Sequence, residues 1–358
     1  MSTTNVLGNG TIARLMQNVG ALKARSELLA RQSGDGRLAT VYGDEARDAR
    51  QAIDLRGEIA RREATSTGLT RALGRTQASQ VALGRLSDIA TSFYAQTTKL
   101  SATEPSAIRM AASAARSALA EVGGLLNEQN AGEYLFGGSD TANPPIPGGN
   151  PAASGMNSDI AAAIAGLSGT GATSALTATR AAALNDTAGV TPFSAFLSDP
   201  ATGGGEPRRT TLVSDGTVLP TGLWANRNAD ATSAGETTGS WSRDLLRGLM
   251  TLAALPDAVG ASNADVDAVL ASLRGSFSSS ADALGVEQGT LGQTEARLQA
   301  ARTSQGDVVV ALRTQLAGIE EVDLADTLTA LQDTKTRLEA SYKAISTLTE
   351  LTLTSFLR

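Results

Sequence analysis

The sequence predicts a mainly α protein: a long helical coiled-coil bundle formed by both chain ends, with a small mixed or β-rich outer domain inserted between them. Three observations predict it. Near the start, Leu15, Val19, Leu22 and Leu29 follow a four-and-three spacing with Ser26 as one polar break. Near the end, Leu324, Leu328, Leu331, Leu338, Tyr342 and Ile345 follow the same spacing, with Lys335 off pattern. That spacing gives a helix one narrow apolar seam, suited to packing against another helix, either the other end of the chain or a neighbouring copy. Between the ends, Pro144, Pro145, Pro147, Pro151, Pro192, Pro200, Pro207 and Pro220 crowd into residues 141–240, a stretch without lysine. Such a segment does not continue a helix.

Residues 12–130 read as helix, rich in Ala, Leu, Arg, Gln and Glu, with Pro105 the only proline. Proline is tolerated at a helix start, so a break is expected between Leu100 and Glu104. Residues 44–100 carry Ile53, Leu69, Leu73, Leu83, Leu86, Ile89 and Phe93 on a helical face. At about 1.5 Å per residue such a helix is about 85 Å long and must lie along partners. Gly57, Gly68, Gly74 and Gly84 interrupt it, each costing about 1 kcal/mol relative to Ala; close-packing sites and tolerated weak spots fit them equally well.

Within 141–240, residues 210–213 and 217–219 read as short strands separated by a turn at Ser214 and Gly216. Residues 158–167 read as a short helix. The Gly- and Pro-rich borders predict an outer module whose removal leaves the helical body intact, with a disordered loop as the rival reading. Helix returns from Arg243 to Leu255, ended by Pro256, and again from Asp265, with Gly318 marking a stop. Asp323 and Asp326 resemble a capping box that starts the final helix. The expected organisation is a terminal layer of residues 1–40 and 318–358, a helical rod of 41–140 and 242–317, and an outer insertion of 141–241.

The 358 residues include no Cys and no His, which removes disulfides, Cys and His metal ligands, and Ser-His or Cys-His catalysis. Only carboxylate-based hydrolysis stays open, and then inside the insertion. No catalytic, cofactor or metal residues are expected. The net charge is -6 with scattered Lys and Arg, so no basic face speaks for nucleic acid or anionic lipid. Residues 1–9 lack the charge and apolar run of a signal peptide, and no stretch is apolar enough to span a membrane. The glycines at 203–205 suit a flexible linker better than a phosphate loop. Glu320, Glu321 and Asp323 suit a solvated helix start better than a metal site.

Residues 130–141, NAGEYLFGGSDT, resemble a segment of the bacterial flagellin family, most closely of its hook-filament junction members. Gly132, Tyr134, Phe136, Gly138 and Ser139 carry that resemblance. Residues 338–342 and 348–357 resemble the family's final helix, and residues 28–37 the turn after its first helix. The family's Asp-Asp-Pro after that turn is replaced here by residues 42–45, YGDE. The resemblance covers roughly 1–140 and 242–358.

It implies export through the flagellar apparatus and an extracellular place in the flagellum. The implied partners are other copies of the chain, a hook-associated protein on the hook side, flagellin on the filament side, and an export chaperone. A filament flagellin is the alternative within the family. A coiled-coil secreted adaptor or effector is the alternative outside it.

Overall fold

The computed structural model describes residues 4–38, 49–202, 206–214, 216–232 and 237–356, with side chains followed from residue 13 to 347. Residues 42–45 and 203–205, and the side chains of 348–357, lie outside that description. In chain order, α1 spans Thr4–Asp35, α2 Ala49–Thr98 and α3 Pro105–Leu126. The strands β1 (Gln129–Asn130) and β2 (Glu133–Tyr134) follow, then α4 (Gly155–Ala165), α5 (Leu167–Leu184) and α6 (Ala195–Ser198). Strands β3 (Thr210–Ser214) and β4 (Thr217–Pro220) precede α7 (Trp241–Ala254), α8 (Asn263–Glu320) and α9 (Leu324–Phe356). By their internal contacts these form two compact units, 1–63 with 306–358, and 64–305.

The break before Pro105 stands where the sequence puts it, with Pro105 opening α3. The Asn127 side chain ends that helix: its amide donates to the Ile146 carbonyl and accepts from the Ile146 N–H, both at 2.8 Å. The predicted stop at Gly318 is corrected. α8 runs on to Glu320, because an exposed glycine weakens a helix without ending it. The chain turns where the Val322 N–H reaches the Gly36 carbonyl (3.1 Å) and Asp323 caps α9, accepting from the N–H of Ala325 (2.8 Å). Gly57, Gly68 and Gly74 are not close-packing sites within the chain, since a Cβ at any of them meets no described atom within 4 Å.

The insertion is mixed rather than β-rich. α4, α5 and α6 make up most of its regular structure, and β3–β4 is one antiparallel hairpin with a bulge between Leu212 and Ser214. The hairpin's Val213 and Leu219 pack on Leu69, Leu73 and Leu298 of the long helices.

The insertion is also no detachable module. Met156, Ile160 and Ile164 of α4, together with Phe193, Leu197 and Trp224, join one core with Leu119 and Val122 of α3, Leu245 and Leu249 of α7, and Phe277 of α8. Every residue of α7 is buried. Gly248 is required there, because a Cβ would come within 2.8 Å of the Phe277 ring.

α7 also carries Arg243, Asp244 and Arg247, and largely the insertion satisfies them. Arg243 donates to the carbonyls of Asn226 (2.9 Å) and Ala183 (2.8 Å) and pairs with Asp186 (2.5 Å). Asp244 accepts from the Thr238 N–H (2.9 Å), and burial raises its pKa above the ordinary carboxylate value. Glu287 of α8, itself buried, accepts from three successive N–H groups, Ala229, Ala231 and Asp230 between them, at 2.6 to 3.1 Å. It clamps the chain as it returns from the insertion.

Replacing residues 141–240 by a short flexible linker is therefore expected to abolish soluble, helical protein. It would strip α4 and α5 from α7, and each large apolar side chain so uncovered costs about 1.5–3 kcal/mol. A few such side chains are enough to matter against a whole domain's stability of about 5–15 kcal/mol. Circular dichroism and gel filtration of the deletion check this, and a monomeric, cooperatively melting helical product would contradict it.

Candidate assembly surface

The unit formed by the chain ends is built on α1 packed along α9. On α1 the shielded positions are Leu15, Val19, Leu22, Ser26, Leu29 and Ser33, a four-and-three series, with Gln32 beside its end. On α9 they are Thr327, Leu331, Thr334, Leu338, Ser341 and Ile345, again four and three apart, with Ala330 beside Leu331. The sequence reading therefore selects the α1 face that the structure shields. On α9 it shares Leu331, Leu338 and Ile345 with the structure and misses Thr327, Thr334 and Ser341.

The physical reason is the hydroxyl. Thr327 donates to the Asp323 carbonyl (2.6 Å), Thr334 to Ala330 (2.7 Å) and Ser341 to Arg337 (2.8 Å). Each hydroxyl is satisfied within its own helix, so the side chain can line an apolar seam without an unmet polar group. The spacing through 331, 338 and 345 was the available signal, since it admits 327, 334 and 341 as readily as 328, 335 and 342.

Leu324, at the first turn of α9, is half-exposed, and Leu328 and Tyr342 remain 52% and 51% exposed. Leu328 and Tyr342 lie one residue beyond the shielded positions Thr327 and Ser341, on one flank of the seam. Met16 and Leu28 are exposed beside the seam on α1. A two-helix seam needs only the narrow stripe; a stripe widened by such a flank is the pattern of a helix packed in a larger bundle.

The start of this pair is fixed by the backbone. Gly36, at φ +68°, turns the chain after α1, and the Leu38 N–H reaches the Glu320 carbonyl at 2.8 Å. Arg56 pairs with Glu320 (2.6 Å) and Arg313 with Glu63 (2.5 Å).

The residues of the 130–141 segment have a structural role in the other unit. β1 and β2 form a hairpin turned by Ala131 (φ +52°) and Gly132 (φ +82°), the two-residue turn that needs positive φ at both places. Tyr134 is half-buried and its carbonyl accepts from Arg75 (2.7 Å). Phe136 is fully buried, edge-on to Trp241 with ring centroids 6.4 Å apart. Its carbonyl accepts from the Ala225 N–H (2.9 Å), and the Gly138 N–H donates to the Leu223 carbonyl (3.1 Å). Gly138, at φ +67°, could hold no Cβ, which would stand 2.7 Å from the Trp224 ring. Ser139 donates to Glu206. The segment thus stitches the outgoing strand of the insertion to its returning strand.

Glu133 anchors the hairpin. One of its oxygens accepts from both Arg75 (2.8 Å) and Arg209 (2.7 Å). The hydrogen bond from Arg209 is the main reason its pKa lies below the ordinary carboxylate value.

Among the described residues no group of acidic side chains could hold a metal ion. No helix among the described residues is long and apolar enough to cross a membrane. A cleft of about 850 Å³ in the insertion, walled by Asn150, Asp186, Phe193 and Ser198 among others, brings no nucleophile against a base.

Two predictions follow from this hairpin. Ala131 is the one described non-glycine residue at positive φ, a conformation that costs an alanine about 1 kcal/mol and that asparagine tolerates better. Ala131→Asn should raise the stability measured by denaturant unfolding by about 0.5–1 kcal/mol. Glu133, with its pKa lowered by folding, stabilises the protein above its unfolded value near 4.5. That contribution disappears as the pH falls through the lower folded value. Glu133→Gln should therefore lower the melting temperature at pH 7, and its gap to the parent should close as the pH falls below 4.5 through the lower folded value. A constant gap across that range would contradict the ion-pair role.

Residues 278–357, the greater part of α8 from Ser278 and the whole of α9, match the family model of the bacterial flagellin C-terminal helical region. No curated protein matches the chain. The match is thus a likeness of the chain's last 80 or so residues to the C-terminal helical region of bacterial flagellins.

Proposed function

We propose that the chain is a structural subunit of the bacterial flagellum that joins hook to filament, packing through its terminal helices against copies of itself, a hook-associated protein and flagellin. The observation that carries this reading is the flagellin C-terminal match over 278–357, which falls on the helix whose flank stays apolar and uncovered after the chain ends have paired. The hairpin around Tyr134 and Phe136, matching the junction members' segment, favours the junction over the filament. A subunit of this kind is exported and works outside the cell, with an export chaperone shielding the exposed flank before assembly. Filament flagellin is the second reading, favoured by the family match itself. The two differ in their neighbours: a filament needs identical head-to-tail copies that grow into an open helix, whereas a junction is a closed layer between two different proteins.

Leu328→Asp combined with Tyr342→Asp tests the assembly surface without touching the intramolecular seam. The monomer should keep its helicity and melting temperature, because both positions face solvent. Incorporation into flagella should be lost, because burying unpaired carboxylates costs several kcal/mol. Wild-type levels of the variant in sheared flagella would remove this surface from assembly. Immunogold labelling in one band beside the hook supports the junction, and labelling along the filament replaces it by flagellin.

A further inference from the structure

A groove of about 490 Å³ runs between α2, the β1–β2 hairpin and β3. Its charged lining is Arg71, Arg75, Arg209 and Glu133, three guanidinium groups against one carboxylate in a chain whose net charge is -6. Glu133 already receives both Arg75 and Arg209 on a single oxygen. Arg71 is exposed and makes no ion pair among the described residues. Arg75, 6% exposed, is held in place by the Tyr134 carbonyl. Burial, and after it the neighbouring charge of Arg209, pushes its pKa below the ordinary guanidinium value, so the groove concentrates unbalanced positive charge.

The α2 wall of the groove carries Gly68 and Gly74. Neither is demanded by the chain's own packing, since a Cβ at either meets no atom within 4 Å. Each nonetheless costs the helix about 1 kcal/mol relative to alanine. They leave bare backbone beside Arg71, where another chain can approach closely.

Elsewhere the same chain presents the complementary surface. At the turn between α8 and α9, Glu321, Asp323 and Asp326 are exposed within six residues. Glu321 and Asp326 form no ion pair among the described residues. The turn is held rigid by backbone bonds from Leu38 to Glu320 and from Val322 to Gly36, so docking it costs little ordering entropy.

We propose that the arginine groove receives the acidic 321–326 turn of a second copy of this chain. A contact between two different surfaces of identical chains is heterologous, the type that builds rings and helices. The forked guanidinium of Arg71 suits a carboxylate pair from Glu321 and Asp326. The inference rests on the proposed role as an assembling flagellar subunit.

The test uses the full chain in cells, with the amount recovered in sheared flagella as the readout. Arg71→Glu should lower recovery about tenfold while leaving monomer melting unchanged, since Arg71 makes no ion pair among the described residues. Glu321→Arg with Asp326→Arg should do the same, and combining all three changes should restore recovery. Because the chain has no cysteine, Arg71→Cys with Asp326→Cys gives a second readout: oxidation of isolated flagella should yield disulfide-linked multimers, and dilute monomer none. Normal recovery of Arg71→Glu, failure of the combination to exceed either partner, or absence of crosslinks in flagella containing the variant would overturn the proposal, as would occupation of the groove by a small anion such as sulfate with recovery insensitive to charge reversal. If the wild-type chain is absent from flagella, the proposed function fails first and this inference with it.

Discussion

The central constraint is α7, fourteen residues buried on every side although three of them are charged. An apolar face alone would need one neighbour. Arg243, Asp244 and Arg247 need partners too, because a buried unpaired charge costs far more than a surface one. For the two arginines those partners come from other parts of the sequence, Ala183, Asp186 and Asn226 for Arg243 and Ser276 of α8 for Arg247, while Asp244 is met locally by Thr238. Meeting them forces the insertion to fold back over the helix, and the return path is closed by Glu287 gripping residues 229–231. The hairpin at Glu133, the Phe136–Trp241 contact and the Gly138–Trp224 approach then bring both strands of the insertion to the same place. The insertion looks like an appendage in sequence and shares one core with the helical body in space.

The terminal unit obeys a different logic. Its helices bury a narrow seam in which Ser and Thr stand among Leu, Val and Ile, and the hydroxyls bond to their own helix. Such a seam holds two helices together without strong apolar drive. The larger apolar side chains, Leu328 and Tyr342, are left on its flank. A folding unit would gain more by burying them, so their exposure makes sense for a chain whose burial is completed by other molecules.

The chemistry of the site residues follows from this division. In the 130–141 segment, Phe136, Gly138 and Glu133 hold the fold together, and what they offer to a partner is shape. The arginine groove beside them is different, because its charge exceeds what its own carboxylate balances.

By itself the sequence determined the helical class, the break before Pro105, the strands at 210–213 and 217–219, and the Asp323 cap, because each rests on local chemistry: proline's fixed φ, period-two and period-3.6 burial, and a side chain bonding to its own backbone. It also showed the α1 face, where apolar letters and the shielded face coincide. The α9 face was only half legible. A threonine that satisfies its hydroxyl internally reads as polar in sequence and behaves as apolar in the seam. The helices α5 and α6 were missed because Gly, Thr and Ser depress helix propensity, and burial against α7 and its neighbours outweighs it. Tertiary structure alone decided that α7 is central and the insertion inseparable from the body. The longest-range partners of Arg243 and Glu287 lie 56 to 60 residues away in the chain. No local pattern encodes which distant carbonyl or N–H a buried charge will find.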